Sequence, residues 1–163
     1  MALEPTLNRR TWLATMLRAG GVALGVGLIA APAAHAAKPP ALTVFKDPSC
    51  GCCTKWVEHL RANGLAPAVK DRTDMDAFKD SLGIPSALRS CHTAVAGKYV
   101  IEGHVPAADV KRFLAAPPKG VIGLAVPGMP VGSPGMEQSG RTDRYDVMAF
   151  TARGATRVYA RHG

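Results

Sequence analysis

Pro48-Ser49-Cys50-Gly51-Cys52-Cys53 places three thiols within four positions, and a fourth, Cys91, follows far along the chain. No other feature constrains the fold as tightly, because this short segment must turn, start a helix and tolerate crowded sulfurs at once. Upstream, Leu42-Thr43-Val44-Phe45 is apolar and β-branched, is ended by Asp47-Pro48-Ser49, and reads as a buried strand followed by a turn. Downstream, Cys53, Trp56, Val57 and Leu60 recur at helical spacing until Asn63-Gly64 ends the pattern, with Trp56 as a core residue. The thiols therefore sit where a strand passes into a helix. Unpaired N–H groups and the helix dipole favour negative charge there, so these thiols are expected to be acidic. Gly51 relieves the crowding and allows a tight turn.

The rest of the chain supplies a frame for this junction. Residues 66–70 read as a weak second strand, and Asp74 is expected to cap a short helix with Met75, Phe78 and Leu82 on one face. Residues 90–96 and 99–102 are strand-like runs joined at Gly97-Lys98, a hairpin signal. Pro106 starts a third helix with Val110, Phe113 and Leu114 facing inward. The order β-α-β-α-β-β-α, parallel in its first half and a hairpin in its second, predicts an α/β fold with a thioredoxin-like sheet flanked by helices, one domain over residues 42–163. Residues 117–140 are dense in Pro and Gly, contain the near repeat Pro127-Gly128-Met129 and Pro134-Gly135-Met136, and read as a loop without regular structure. Loops of that length usually carry function. Residues 145–161 read as a C-terminal β-hairpin turning at Arg153-Gly154.

Three cysteines so close together can close only trivial loops, so disulfide staples would constrain the unfolded chain little. Crowded thiolates repel, and a soft cation that bridges them resolves the conflict. Zinc prefers four separate ligands, commonly two C-x-x-C knuckles. Cu(I) accepts two or three thiolates and lets sulfur bridge, so the spacing favours copper on Cys50, Cys52 and Cys53. Cys50 and Cys53 also have the C-x-x-C spacing of a redox pair, which leaves a dithiol site open beside zinc and a structural disulfide. Cys91 opens the first hairpin strand and is expected opposite the cysteine loop; the alternative is a buried, inert cysteine.

Four further residues are candidates for additional ligands or supports. His92 follows Cys91, so on a strand it is expected to point to the opposite face, either packed or supporting the site from behind. His104 lies before the third helix, and Glu102, two residues earlier, either orients its imidazole for metal or leaves it as a loop cap. Met129 and Met136 offer soft, neutral sulfur on Pro-Gly turns, as a lid or transfer site, or else as apolar plugs. His59 is expected at the helix surface, turned away from the thiols.

The formal charge of +8 comes without basic runs or basic-aromatic interleaving, which reads as a solvated surface and argues against nucleic acid. Three arginines and a glutamate fall in residues 1–36, which read as a cleavable signal peptide. Arg9-Arg10 opens its basic part, residues 20–31 are apolar, and Ala34-His35-Ala36 offers a cleavage site near Ala36. Asn8-Arg9-Arg10-Thr11-Trp12-Leu13 is twin-arginine-like, and a Sec route fits nearly as well. The apolar run falls short of the roughly 20 residues a membrane span needs, so the mature chain is expected to be exported with no transmembrane segment. Residues 37–41 read as a linker.

Cys50-Gly51-Cys52-Cys53 with Trp56 and His59, then Ser90-Cys91-His92-Thr93-Ala94, Glu102-Gly103-His104-Val105-Pro106 and residues 123–137, together resemble the CopG-type periplasmic copper-resistance proteins over about residues 42–162. The resemblance implies a thioredoxin-like fold, a periplasmic location and several Cu(I) ions bridged by Cys50, Cys52, Cys53 and Cys91. It also implies a role in binding copper and moving it between redox states. The expected mechanism is capture by the helix-start thiolates, closure by Cys91, and release when Cys50 and Cys53 form a disulfide. A passive chaperone feeding a membrane copper exporter is a further possibility, for which no sequence feature identifies a partner. The rival is a thiol-disulfide oxidoreductase acting on protein clients, against which Cys52 argues, because it would scramble the mixed disulfide. Whether the chain is an enzyme is left open.

Overall fold

The computed structural model describes residues 40–163, so the signal-peptide reading and most of the linker lie outside the described residues. Seven strands and three helices follow one another as β1 (Leu42–Lys46), α1 (Gly51–Ala62), β2 (Ala68–Asp71), α2 (Met75–Ser81), β3 (His92–Ala96), β4 (Tyr99–Glu102), α3 (Ala107–Ala115), β5 (Val121–Ala125), β6 (Tyr145–Thr151) and β7 (Thr156–His162). They form one mixed sheet in the order β2-β1-β3-β4-β5-β6-β7. β1 and β2 are parallel, and β3 runs antiparallel to both β1 and β4. The parallel first half and the following hairpin are thus both present. Among the described residues no helix is long and apolar enough to cross a membrane.

Alternation along the central strands divides the core. Val44, Ala94 and Ile101 face one side, where Trp56, Val57 and Leu60 of α1 meet Val110, Phe113 and Leu114 of α3. Val100, Ala125 and Phe150 face the other, against Ile84 and Leu88 beyond α2. Burying each large side chain contributes roughly 1.5–3 kcal/mol, so the α1 seam is a firm base for the cysteines at its start. Trp56 is anchored further by its indole N–H, which donates to the Val105 carbonyl at 2.9 Å.

The long loop reading needs correction. Residues 117–140 contain β5, which pairs parallel to β4 and antiparallel to β6 and so joins the terminal hairpin to the sheet. The Pro and Gly flanks, and Gly123 inside the run, disguise it as loop. Gly123 is there because the sheet is too close for a side chain: a Cβ would lie 2.5 Å from Phe150 Cζ and from the Val100 carbonyl oxygen. Gly123→Ala is therefore expected to lower stability by about 1–3 kcal/mol in urea titration, as overpacking does. The stretch after β5 remains irregular, and it folds back over the start of α1.

Candidate metal centre

The turn that presents the thiols is built by Asp47. Its carboxylate accepts Ser49 N–H at 2.8 Å and Ser49 Oγ–H at 2.5 Å, and those bonds hold its carboxyl below the usual range. The buried Lys46 ammonium donates to the Asp47 carbonyl at 3.0 Å from beneath. Cys50 is the residue before α1, and its carbonyl accepts Thr54 N–H at 3.3 Å, so the helix begins on the cysteine motif itself.

Cys50 and Cys53 are joined by a disulfide, and Cys52 and Cys91 are free. Cys52 Sγ lies 3.5 Å from Cys50 Sγ and 3.8 Å from Cys91 Sγ, and all four sulfurs fall within 4.8 Å of one another. The structure therefore brings Cys91 to the other three. Cys53 is buried; the others are half-buried. Burial first, and the neighbouring Cys52 second, push Cys91 up to about 12.

Both histidines reach Cys91. His92 Nδ1 lies 3.2 Å and His104 Nε2 3.0 Å from its sulfur, and the three side chains form a second compact donor group. The expectation that His92 points to the other face assumed that Cys91 was already in the strand. β3 begins at His92, so the alternation does not include Cys91. His92 is also packed, its ring 4.3 Å from that of Trp56. Burial lowers the pKa of both rings; the His104 ring, and then Lys79, depress His92 further.

Glu102 does not orient His104. That role falls to the Pro134 carbonyl, which accepts the Nδ1 proton at 2.8 Å. Glu102 instead lies beneath Cys91, wholly buried, and takes Lys79 Nζ at 2.6 Å, Ser90 N–H at 2.7 Å and Thr93 Oγ–H at 2.5 Å. Lys79 also donates to the Ser90 carbonyl. Sequence reasoning missed Lys79, although a glutamate within the apolar run of β4 was a signal that a buried cation had to exist somewhere. The α2 face is likewise revised: Met75, Phe78 and Leu82 are half-buried, Lys79 is the buried residue, and Asp74 makes no capping bond.

His59 is not a plain surface residue. Its Nε2 accepts the Ala107 N–H at 3.1 Å, satisfying one of the free donors that begin α3. Gly135 packs on Cys52 and Trp56, and Gly128 accepts the Ser90 hydroxyl, so both Pro-Gly turns lie against the cysteine site. Met129 is 52% exposed and Met136 half-buried.

Fold and site together define a mixed α/β protein whose chemistry is concentrated in a cysteine cluster able to hold metal. A family model described as a protein of unknown function, DUF411, matches residues 88–136. Two solved structures are similar, both described as copper resistance protein copG. Form 1 is 45% identical, with 77% of this chain and 98% of that chain covered and a TM-score of 0.71. Form 2 is 44% identical, with 77% of this chain and 100% of that chain covered and a TM-score of 0.72. No curated protein matches the chain. The chain belongs to the CopG copper-resistance family.

Proposed function

We propose that this is an exported, periplasmic copper-binding protein that holds several Cu(I) ions on Cys50, Cys52, Cys53 and Cys91. The observation that carries the reading is the convergence of four sulfurs, three local and one remote, within 4.8 Å. Soft thiolates at that separation can share ions through bridging sulfur, and the metal offsets their mutual repulsion. The β2-β1-β3-β4 order, with the cysteine motif between β1 and α1, supports the thioredoxin-like reading. Exposed Met129 is a soft donor from which copper can be passed to a partner such as an exporter or chaperone.

The disulfide supports a coupling between copper and thiol state. Closing it removes two electrons and two protons from the dithiol, enough to reduce two Cu(II) to two Cu(I), and withdraws two thiolates from the cluster. The same bond favours a second reading, thiol–disulfide exchange with protein clients. Anaerobic Cu(I) titration of the reduced chain separates the two. More than one copper per chain is expected, with short copper–copper vectors in X-ray absorption and a lower stoichiometry in Cys91→Ser. Insulin reduction at oxidoreductase rates without copper uptake would establish the rival instead.

A further inference from the structure

We propose that the outer edge of β7 docks an extended, acidic segment of a partner polypeptide, which pairs with it as an added strand. The surface deepens the copper-binding reading, and rests on it for the cargo, by naming the chemistry of a partner that meets exposed Met129.

The backbone supplies the first argument. β7 closes the sheet at one end, and among the described residues no strand pairs with its outer side. Such an edge offers a row of unpaired N–H and C=O groups, which proteins commonly blunt with a short strand or a proline. β2, the opposite edge, has only four residues and sets Lys70 beside Asp71. β7 has seven residues and no proline, and Thr156, Arg157, Val158 and Arg161 are exposed.

Charge selects the occupant. Arg157 lies opposite Ala149, on the α3 side, where the Arg112 guanidinium stacks on Tyr159 at 4.6 Å. The register shift within the β6–β7 pair puts Arg161 on the other side, opposite Asp146, in an exposed ion pair of 3.6 Å. Arg144 and Arg157 have no carboxylate partner among the described residues. Guanidinium groups on both faces of one strand match an extended chain that carries carboxylates on both of its faces. A second copy is the wrong occupant. In the antiparallel register that uses the whole strand, Arg157 would stand against Arg161 of the copy, and like charges directly opposite destabilise a pair.

The edge ends in an open cavity of about 720 Å³, with Arg144, Met148 and Arg161 on the hairpin side and Pro127 and Pro130 facing them. Those prolines bracket Met129, which is 52% exposed. The Gly128 carbonyl of the same turn accepts the hydroxyl of Ser90, the residue before Cys91. A segment seated along β7 and into the cavity thus arrives beside a soft thioether, on a turn bonded to the cysteine site.

The test titrates the full chain with an end-blocked peptide, Glu-Glu-Val-Thr-Val-Glu-Glu, read by calorimetry and by amide NMR. Saturable binding is expected, with shifts and slowed amide exchange confined to β7 and the cavity. Arg157→Glu/Arg161→Glu, exposed at both positions, should weaken it about tenfold. Should that variant not fold, as judged by circular dichroism, the peptide with Lys in place of Glu replaces it, and no binding is expected. The peptide N-methylated throughout keeps its charge but loses its donors, so it should not bind. Absence of binding, unchanged affinity in the folded double variant, or binding of the Lys peptide would each overturn the proposal. Equal binding of the N-methylated peptide or of tripolyphosphate would reduce it to polyanion attraction, and dimerisation through β7 would name a second copy instead; both overturn it. The same affinity is expected with and without Cu(I), so a failure to take up copper sinks the cluster reading and leaves the docking edge measured on its own.

Discussion

Lys79→Met is expected to lower stability by about 3–5 kcal/mol, because it leaves the Glu102 carboxylate buried without its counter-charge. Domain stabilities are about 5–15 kcal/mol, so the melting temperature should drop by roughly 10–20 °C. Burial, the largest influence, raises the Glu102 carboxyl above its ordinary range, and Lys79 opposes that shift. A raised folded-state pKa means stability that is present below the unfolded value and lost as pH rises. The deficit of Lys79→Met should therefore be small near pH 4 and grow towards pH 8. The double variant Lys79→Met/Glu102→Leu should regain most of the loss, since buried ion pairs are rarely better than well-packed apolar residues. Calorimetry across pH checks all three statements. What the double variant should not regain is the placement of Cys91, because Glu102 and Lys79 hold the Ser90 N–H and carbonyl immediately before it.

Gly135→Ala is expected to disturb the candidate metal centre as well as the fold. Gly135 has φ of +88°, and an added Cβ would meet the Cys52 carbonyl oxygen at 2.7 Å and Trp56 N at 2.9 Å. Both are backbone atoms of the first turns of α1 and have little room to yield. The turn must lift, taking the Pro134 carbonyl away from His104 Nδ1. Strain of this kind costs about 1–3 kcal/mol, and the close contact adds to it. The proton signal of hydrogen-bonded His104 Nδ1–H should disappear from the NMR spectrum. Gly120→Ala is the control: its φ is +78°, but nothing lies within 4 Å of the added carbon. It should show the backbone strain alone and leave His104 untouched.

What could be read from the sequence was local. The run at Leu42, the helical spacing from Cys53 to Leu60 and the turn at Gly97-Lys98 each lie in a short window, and each produces the expected element. β5 escaped because its identity depends on neighbours: Gly123 weakens a strand by propensity and is required by Phe150 and Val100 packed against it. The site divides in the same way. The three clustered cysteines announce themselves, and Cys91 follows from the chain path. The partners that aim and hold the donors come from elsewhere, the Pro134 carbonyl 30 residues beyond His104 and Lys79 23 residues before Glu102. Neither a backbone carbonyl nor a lysine on a polar helix leaves a pattern in sequence. His92 shows the reverse error, in which a sound alternation rule was applied one residue before the strand began.

The disulfide at the start of α1 has an outer and an inner sulfur. Cys53 is buried beneath the helix turn, whereas Cys50 is half-buried and open space lies beside Gly51. A small thiol arriving from solution reaches the bond from the Cys50 side, so Cys53 is the leaving group. Reduction then has a direction: a glutathione-sized adduct forms on Cys50, and Cys53 is released next to the two sulfurs that were never oxidised. The first thiol returned to the group of four is the one no outside reagent can touch.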